Sequence, residues 1–210
     1  MSLLTPWGYT ITDADALAEM LTVEEFNTLT ASKYAGDARI SPNIKAACEA
    51  IRNYCGWHIN PPHACSFSER LLSGNGRIKR AGADFLVQLP AAFVSAVTSV
   101  TIGGKAWTDC GLETNGLLRL FDVYESGITR KTEIVVAYTA GLPAGRMDGI
   151  KELIAHRVTH ALASSAGVQS ETAGGVSVTY AANWINSAFS AGLADANKEV
   201  LAPYRLREVF

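Results

Sequence analysis

The chain has 210 residues, of which 48% are hydrophobic and 18% charged, with a formal net charge of −2. That balance supplies enough apolar mass for a buried core and excludes global disorder. A charge so close to zero also excludes the overall basic character that draws a protein to nucleic acid or to an anionic membrane. The four cysteines, Cys48, Cys55, Cys65 and Cys110, follow no basic-then-apolar leader, because Met1 to Trp7 is short and interrupted by Pro6. Reduced thiols in a cytoplasm are therefore expected. No apolar run approaches the ~20 residues that span a bilayer, so the reading is a soluble chain with no membrane partner.

Taken in order, the first sixty residues read as helical. Thr12 or Asp13 caps an expected first helix running to about Leu21. Thr22-Val23-Glu24-Glu25 is a capping box and opens a second. Ser41-Pro42 opens a third, with serine as cap and proline at the first helical position. Its apolar positions Ile44, Ala47, Cys48, Ile51, Tyr54 and Cys55 follow helical spacing and predict a buried stripe that Gly56 ends.

From Ala64 to Tyr138 the pattern turns to β. Strands are predicted over 66–71 and 85–89, separated by a turn-rich segment that holds Gly74-Asn75-Gly76. Val94 to Ile102 is rich in β-branched residues and ends at a Gly103-Gly104 hairpin signal. Two further strands are expected over 117–121 and 132–139. A helix follows over 149–165, with Ile150, Leu153, Ile154, Val158, Ala161 and Leu162 on one face and Gly167 at its exit. Gly174 to Tyr180 reads as a short alternating strand, and 183–200 as a further, interrupted helix. The expected fold class is α+β, a mainly helical core or helical bundle carrying an inserted antiparallel β block. One domain is expected, with a helical part over 1–59, a β-rich insertion over 60–140 and a helix, short strand and terminal segment over 141–210.

Candidate chemistry is sparse. His156 and His160 are four apart on one helix with Glu152 a turn earlier. A zincin helix places glutamate directly after its first histidine, where this chain has Arg157, so a metal-dependent hydrolase is disfavoured against a solvated stripe. The serine in Gly175-Val176-Ser177-Val178-Thr179 lacks the glycine that a nucleophile elbow needs two residues later. Gly141 to Arg146 lacks the closing Gly-Lys-Ser/Thr of a phosphate loop. No catalytic residue, metal ligand or cofactor is assigned. Arg70, Arg77, Lys79 and Arg80 form one basic cluster on the expected loop, read first as a solvated tip and second as a contact for a neighbour or for DNA phosphate. Between Thr12 and Gly56 seven acids face four bases, which argues against a DNA-reading helical module. The tryptophans at 7, 57, 107 and 184 read as packing residues. Pro203-Tyr204-Arg205-Leu206 near the end combines a helix stop with a pair common at interfaces, and reads equally as a tail folded on its own domain or as a docking segment.

Several segments, in order, resemble the head-to-tail connector (adaptor) proteins of long-tailed bacteriophages. They are Thr22 to Phe26, Ile44 to Gly56, Val87 to Pro90, Val97 to Gly104, Asn115 to Arg119, Val135 to Pro143, the 149–165 helix, Gly174 to Tyr180 and Leu201 to Leu206. Together they cover most of residues 20–206, and their order carries the likeness. The resemblance implies a structural virion protein without enzymatic activity. Copies would form a ring, typically of twelve, beneath the portal protein, joining capsid to tail around a channel through which DNA passes without sequence-specific binding. It further implies that the segment at Pro203, Tyr204, Arg205 and Leu206 docks on the portal, while β-block loops meet neighbouring copies or the next neck or tail component. The chain would reside in the host cytoplasm before assembly and in the virion neck afterwards. Two other readings stay open: a different neck or tail-completion component, and a nucleic-acid-binding accessory protein that uses Arg70 to Arg80.

Overall fold

The computed structural model describes residues 2–71, 76–123, 129, 131–163, 170–173, 176–179 and 195–206, with the backbone alone at 115, 170–173, 176–179, 195 and 196. The chain forms two compact units. The first takes in residues up to Ala18, Cys55–Ala144 and the chain from Tyr204 onward; the second is Glu19–Tyr54 with Gly145–Pro203.

The first unit is built on β structure. Strands β1 (Leu3–Leu4), β2 (Thr10–Ile11), β3 (His63–Arg70), β6 (Val94–Ile102), β7 (Lys105–Ala106) and β10 (Glu133–Ala140) make one antiparallel sheet in the order β1-β2-β3-β10-β6-β7. Strands β4 (Ile78–Ala81), β5 (Asp84–Gln88), β8 (Cys110–Leu112) and β9 (Leu117–Leu120) make a second, in the order β4-β5-β9-β8. The register explains the alternation along the chain. Cys65, Phe67, Ile134, Val136 and Tyr138 lie on one face of the larger sheet and are buried, whereas Ser66, Ser68, Val135 and Ala137 on the other face are not. In the smaller sheet the buried cross-strand pairs are Phe85–Leu120 and Val87–Leu118.

The second unit holds α1 (Val23–Leu29), most of α2 (Ile40–Cys55), α3 (Asp148–Ala163), the hairpin β11 (Ser170–Ala173) with β12 (Val176–Thr179), and α4 (Asp195–Leu201). The Thr22 hydroxyl accepts the Glu25 amide at 3.1 Å while the Glu25 carboxylate accepts the Thr22 amide at 2.9 Å, so the capping box is closed. The second Glu25 oxygen accepts from Lys151 at 2.5 Å and ties α1 to α3. These hydrogen bonds, from Lys151 first and the Thr22 amide second, hold the Glu25 carboxyl below its ordinary range against a smaller opposing effect of burial. Along α2, Ile44, Ala47, Cys48, Ile51 and Cys55 are buried as their spacing predicts, and Gly56 ends the helix with φ +78°.

The expected mainly helical core is overturned. Among the described residues, ten strands in two antiparallel sheets dominate, and the helices number four. The expected helix over Thr12 to Leu21 does not form. The Thr12 amide and hydroxyl both donate to the Ala64 carbonyl, at 2.8 and 3.1 Å, and the Asp13 carboxylate accepts from the Ala64 amide and from His63 Nδ1, each at 2.9 Å. A side chain that would cap a helix thus pins the start of β3 instead. Helix α2 begins at Ile40, before the expected Ser41 cap, behind an Asp37 carboxylate that accepts the Arg39 amide at 2.9 Å. Within the expected 72–84 turn region β4 adds a strand, and β1, β2, β7 and β8 are too short to show a period of their own. Gly74, Asn75, Gly167, Gly174, Gly175, Tyr180 and the 183–194 part of the expected last helix lie outside the described residues.

Candidate assembly surface

The C-terminal segment is the sequence-predicted site about which the structure says most. After α4 the chain makes a 3-10 turn over Ala202–Tyr204. The Tyr204 carbonyl accepts from the Trp57 indole at 2.7 Å, and the Leu206 amide donates to the Cys55 carbonyl at 2.8 Å. Cys55 is the last residue of α2, so its carbonyl lacks an intrahelical partner and the tail supplies one. The Tyr204 ring lies 6.2 Å from Phe93, which in turn stacks on Trp57 at 5.9 Å. Burial pushes the Cys55 thiol up to about 12, with Arg205 pulling weakly the other way. The tail is therefore folded on its own unit, with Tyr204 and Leu206 half-buried and Pro203 and Arg205 exposed.

No motif in the sequence singles out the segment that follows α2, Trp57 to Pro62, whose first residue meets the tail. Trp57, His58 and Ile59 are fully buried. His58 Nε2 lies 2.9 Å from the Ala140 carbonyl, which can only accept, so this nitrogen carries the proton. Nδ1 is then the acceptor for the Tyr9 hydroxyl at 2.6 Å, and that hydroxyl accepts the His58 amide at 3.0 Å. Every polar atom of the imidazole is satisfied in its neutral form. Ile59 holds φ +69°, a conformation costly for a β-branched residue. Its carbonyl accepts from the Leu142 amide at 2.7 Å, beside Gly141, where a Cβ would stand 2.4 Å from Pro62 Cα. A lone histidine and a Gly-Leu-Pro turn carry no signal that they meet; the strand register of β3 and β10 brings them together.

The basic cluster is not a loop tip. Arg70 ends β3, and Lys79 and Arg80 lie within β4, an edge strand of the smaller sheet, opposite Leu86 and Phe85. Successive strand residues project to opposite faces, so Lys79 and Arg80 do not share one. Arg77 donates to the Trp7 carbonyl at 3.3 Å and Arg80 to the Gly82 carbonyl at 3.0 Å. Exposed cations on an edge strand also discourage edge-to-edge pairing, which explains Lys79 and Arg80 without a ligand. His156 and His160 stand on α3 with their Nε2 atoms 3.2 Å apart. Among the described residues no three histidine, cysteine, aspartate or glutamate side chains are grouped to hold a metal ion, and no helix is long and apolar enough to cross a membrane.

No curated protein matches the chain. The family model described as head completion protein matches residues 19–194, well over half of its length. That family is a structural one of bacteriophage particles, in line with the connector resemblance of the sequence. The chain belongs to the head completion protein family, and is thereby a phage structural component of the virion's head and neck.

Proposed function

We propose that this protein forms a ring by head-to-tail contacts that close on themselves, docks beneath the portal and joins capsid to tail around the DNA channel. The observation that carries the reading is the family match over residues 19–194. The state of the C-terminal segment supports the docking role. Its backbone is fixed by hydrogen bonds to Trp57 and Cys55, while Pro203 and Arg205 are exposed. A segment already ordered before binding gives up less conformational entropy when a partner covers it. The near-neutral charge of the chain suits a conduit, since strongly basic walls would retain phosphates.

Native mass spectrometry of the full chain with the portal protein of the same genome tests the reading. A defined multi-copy ring on the portal is expected, with occupancy reduced in Arg205→Glu at unchanged circular dichroism. Portal binding that Arg205→Glu leaves intact removes the tail from the interface. No complex at any concentration in low salt would favour another neck or tail-completion role. Salt-sensitive retention on DNA, lost in the Arg77, Lys79 and Arg80 triple alanine variant, would favour the nucleic-acid reading.

A further inference from the structure

Helix α3 turns a sequence spacing into a bite distance. His156 and His160 are one helical turn apart, so both imidazoles rise on the same exposed stripe. Their rings are 4.4 Å apart at 64°, and the two Nε2 atoms are 3.2 Å apart. Two nitrogens each about 2.0–2.1 Å from one metal ion, at an angle of about 90–110°, stand about 2.9–3.4 Å apart. The observed separation falls inside that window.

We propose that His156 and His160 form a two-histidine chelate for a borderline divalent transition-metal ion such as Zn²⁺ or Ni²⁺, with water completing its coordination. Imidazole selects ions of this class over hard Mg²⁺ or Ca²⁺, which prefer oxygen. Arg157, the residue next to His156, projects about 100° away around the helix and so does not stand between the two rings. Glu152 is exposed one turn earlier on the same stripe. Among the described residues no third histidine, cysteine, aspartate or glutamate groups with the pair, so the proposal is for ion binding alone.

The test is calorimetric titration of the tag-free full chain with ZnCl₂, NiCl₂ and MgCl₂, repeated on His156→Ala and His160→Ala. Saturable Zn²⁺ and Ni²⁺ binding is expected, weakened on the order of tenfold or more by either substitution, with no Mg²⁺ binding. Both histidines are exposed, so far-UV circular dichroism should be unchanged in the variants, and histidine Nε2 resonances in the wild type should move on Zn²⁺ addition. Absence of saturable binding overturns the proposal. Binding of equal strength in both variants overturns it as well, because the ion would then be held elsewhere, for example by cysteine.

Discussion

Tyr9 and His58 show how one buried polar pair specifies the β unit. Tyr9, from the N-terminal hairpin region, uses a single hydroxyl both to donate to His58 Nδ1 and to accept the His58 amide, and both residues are almost fully buried. Tyr9→Phe removes both bonds at a site where His58 is 0% exposed. The expected loss is about 2–4 kcal/mol, read from the urea midpoint of the variant against wild type. A loss below about 0.5 kcal/mol would mean that the network contributes nothing net, as when water enters and replaces the hydroxyl. His63 makes a contrasting arrangement. Its Nδ1 donates to Asp13, and burial alone would raise the Asp13 carboxyl, yet the Ala64 amide and His63 together hold it below its ordinary range. Both pairs span about fifty residues of sequence, and neither partner hints at the other.

At the level of elements, α1 is only seven residues long, too short to persist on intrinsic propensity. Its start rests on the Thr22–Glu25 box and its placement on Phe26 and the Lys151 ion pair. Thr22→Ala should cost about 1 kcal/mol, visible as a lower thermal midpoint; an unchanged midpoint would show that packing of Phe26 alone holds the helix. The capping box is readable because all its parts lie within four residues. Helices α2 and α3 are readable for the same reason: their buried stripes repeat over sixteen residues each. Strand β4 is not, because Ile78-Lys79-Arg80-Ala81 holds one large apolar residue and takes its form from pairing with β5. The expected helix after Thr12 failed through the same cause in reverse. A good local cap lost to a partner at Ala64, and local propensity is a weak prior against such tethers.

Across the whole molecule, buried ionisable groups set the response to alkali. Burial pushes the Cys55 and Cys65 thiols up to about 12 from 9.0 and raises Cys48 and Tyr138 as well. The folded state keeps these protons where the unfolded chain would release them. Their contribution to stability is therefore complete below the unfolded value near 9.0 and is lost as pH rises through about 12. Urea midpoints should fall steadily between about pH 9 and about pH 12; a flat profile over that window would show that the thiols ionise in place or that the interior admits water.

Local chemistry alone decides the Thr22–Glu25 capping box, the Gly103-Gly104 turn, the long helices and the central strands β3, β5, β6 and β10. Each of these is written in a few neighbouring residues or in a period that repeats. The tertiary structure decides the rest: the balance in favour of two β-sheets, the short edge strands, the His58 network and the seating of Tyr204 and Leu206 on Trp57 and Cys55. Those features depend on residues brought together from distant positions, and a short strand or a lone polar side chain has no pattern until its partner is in place.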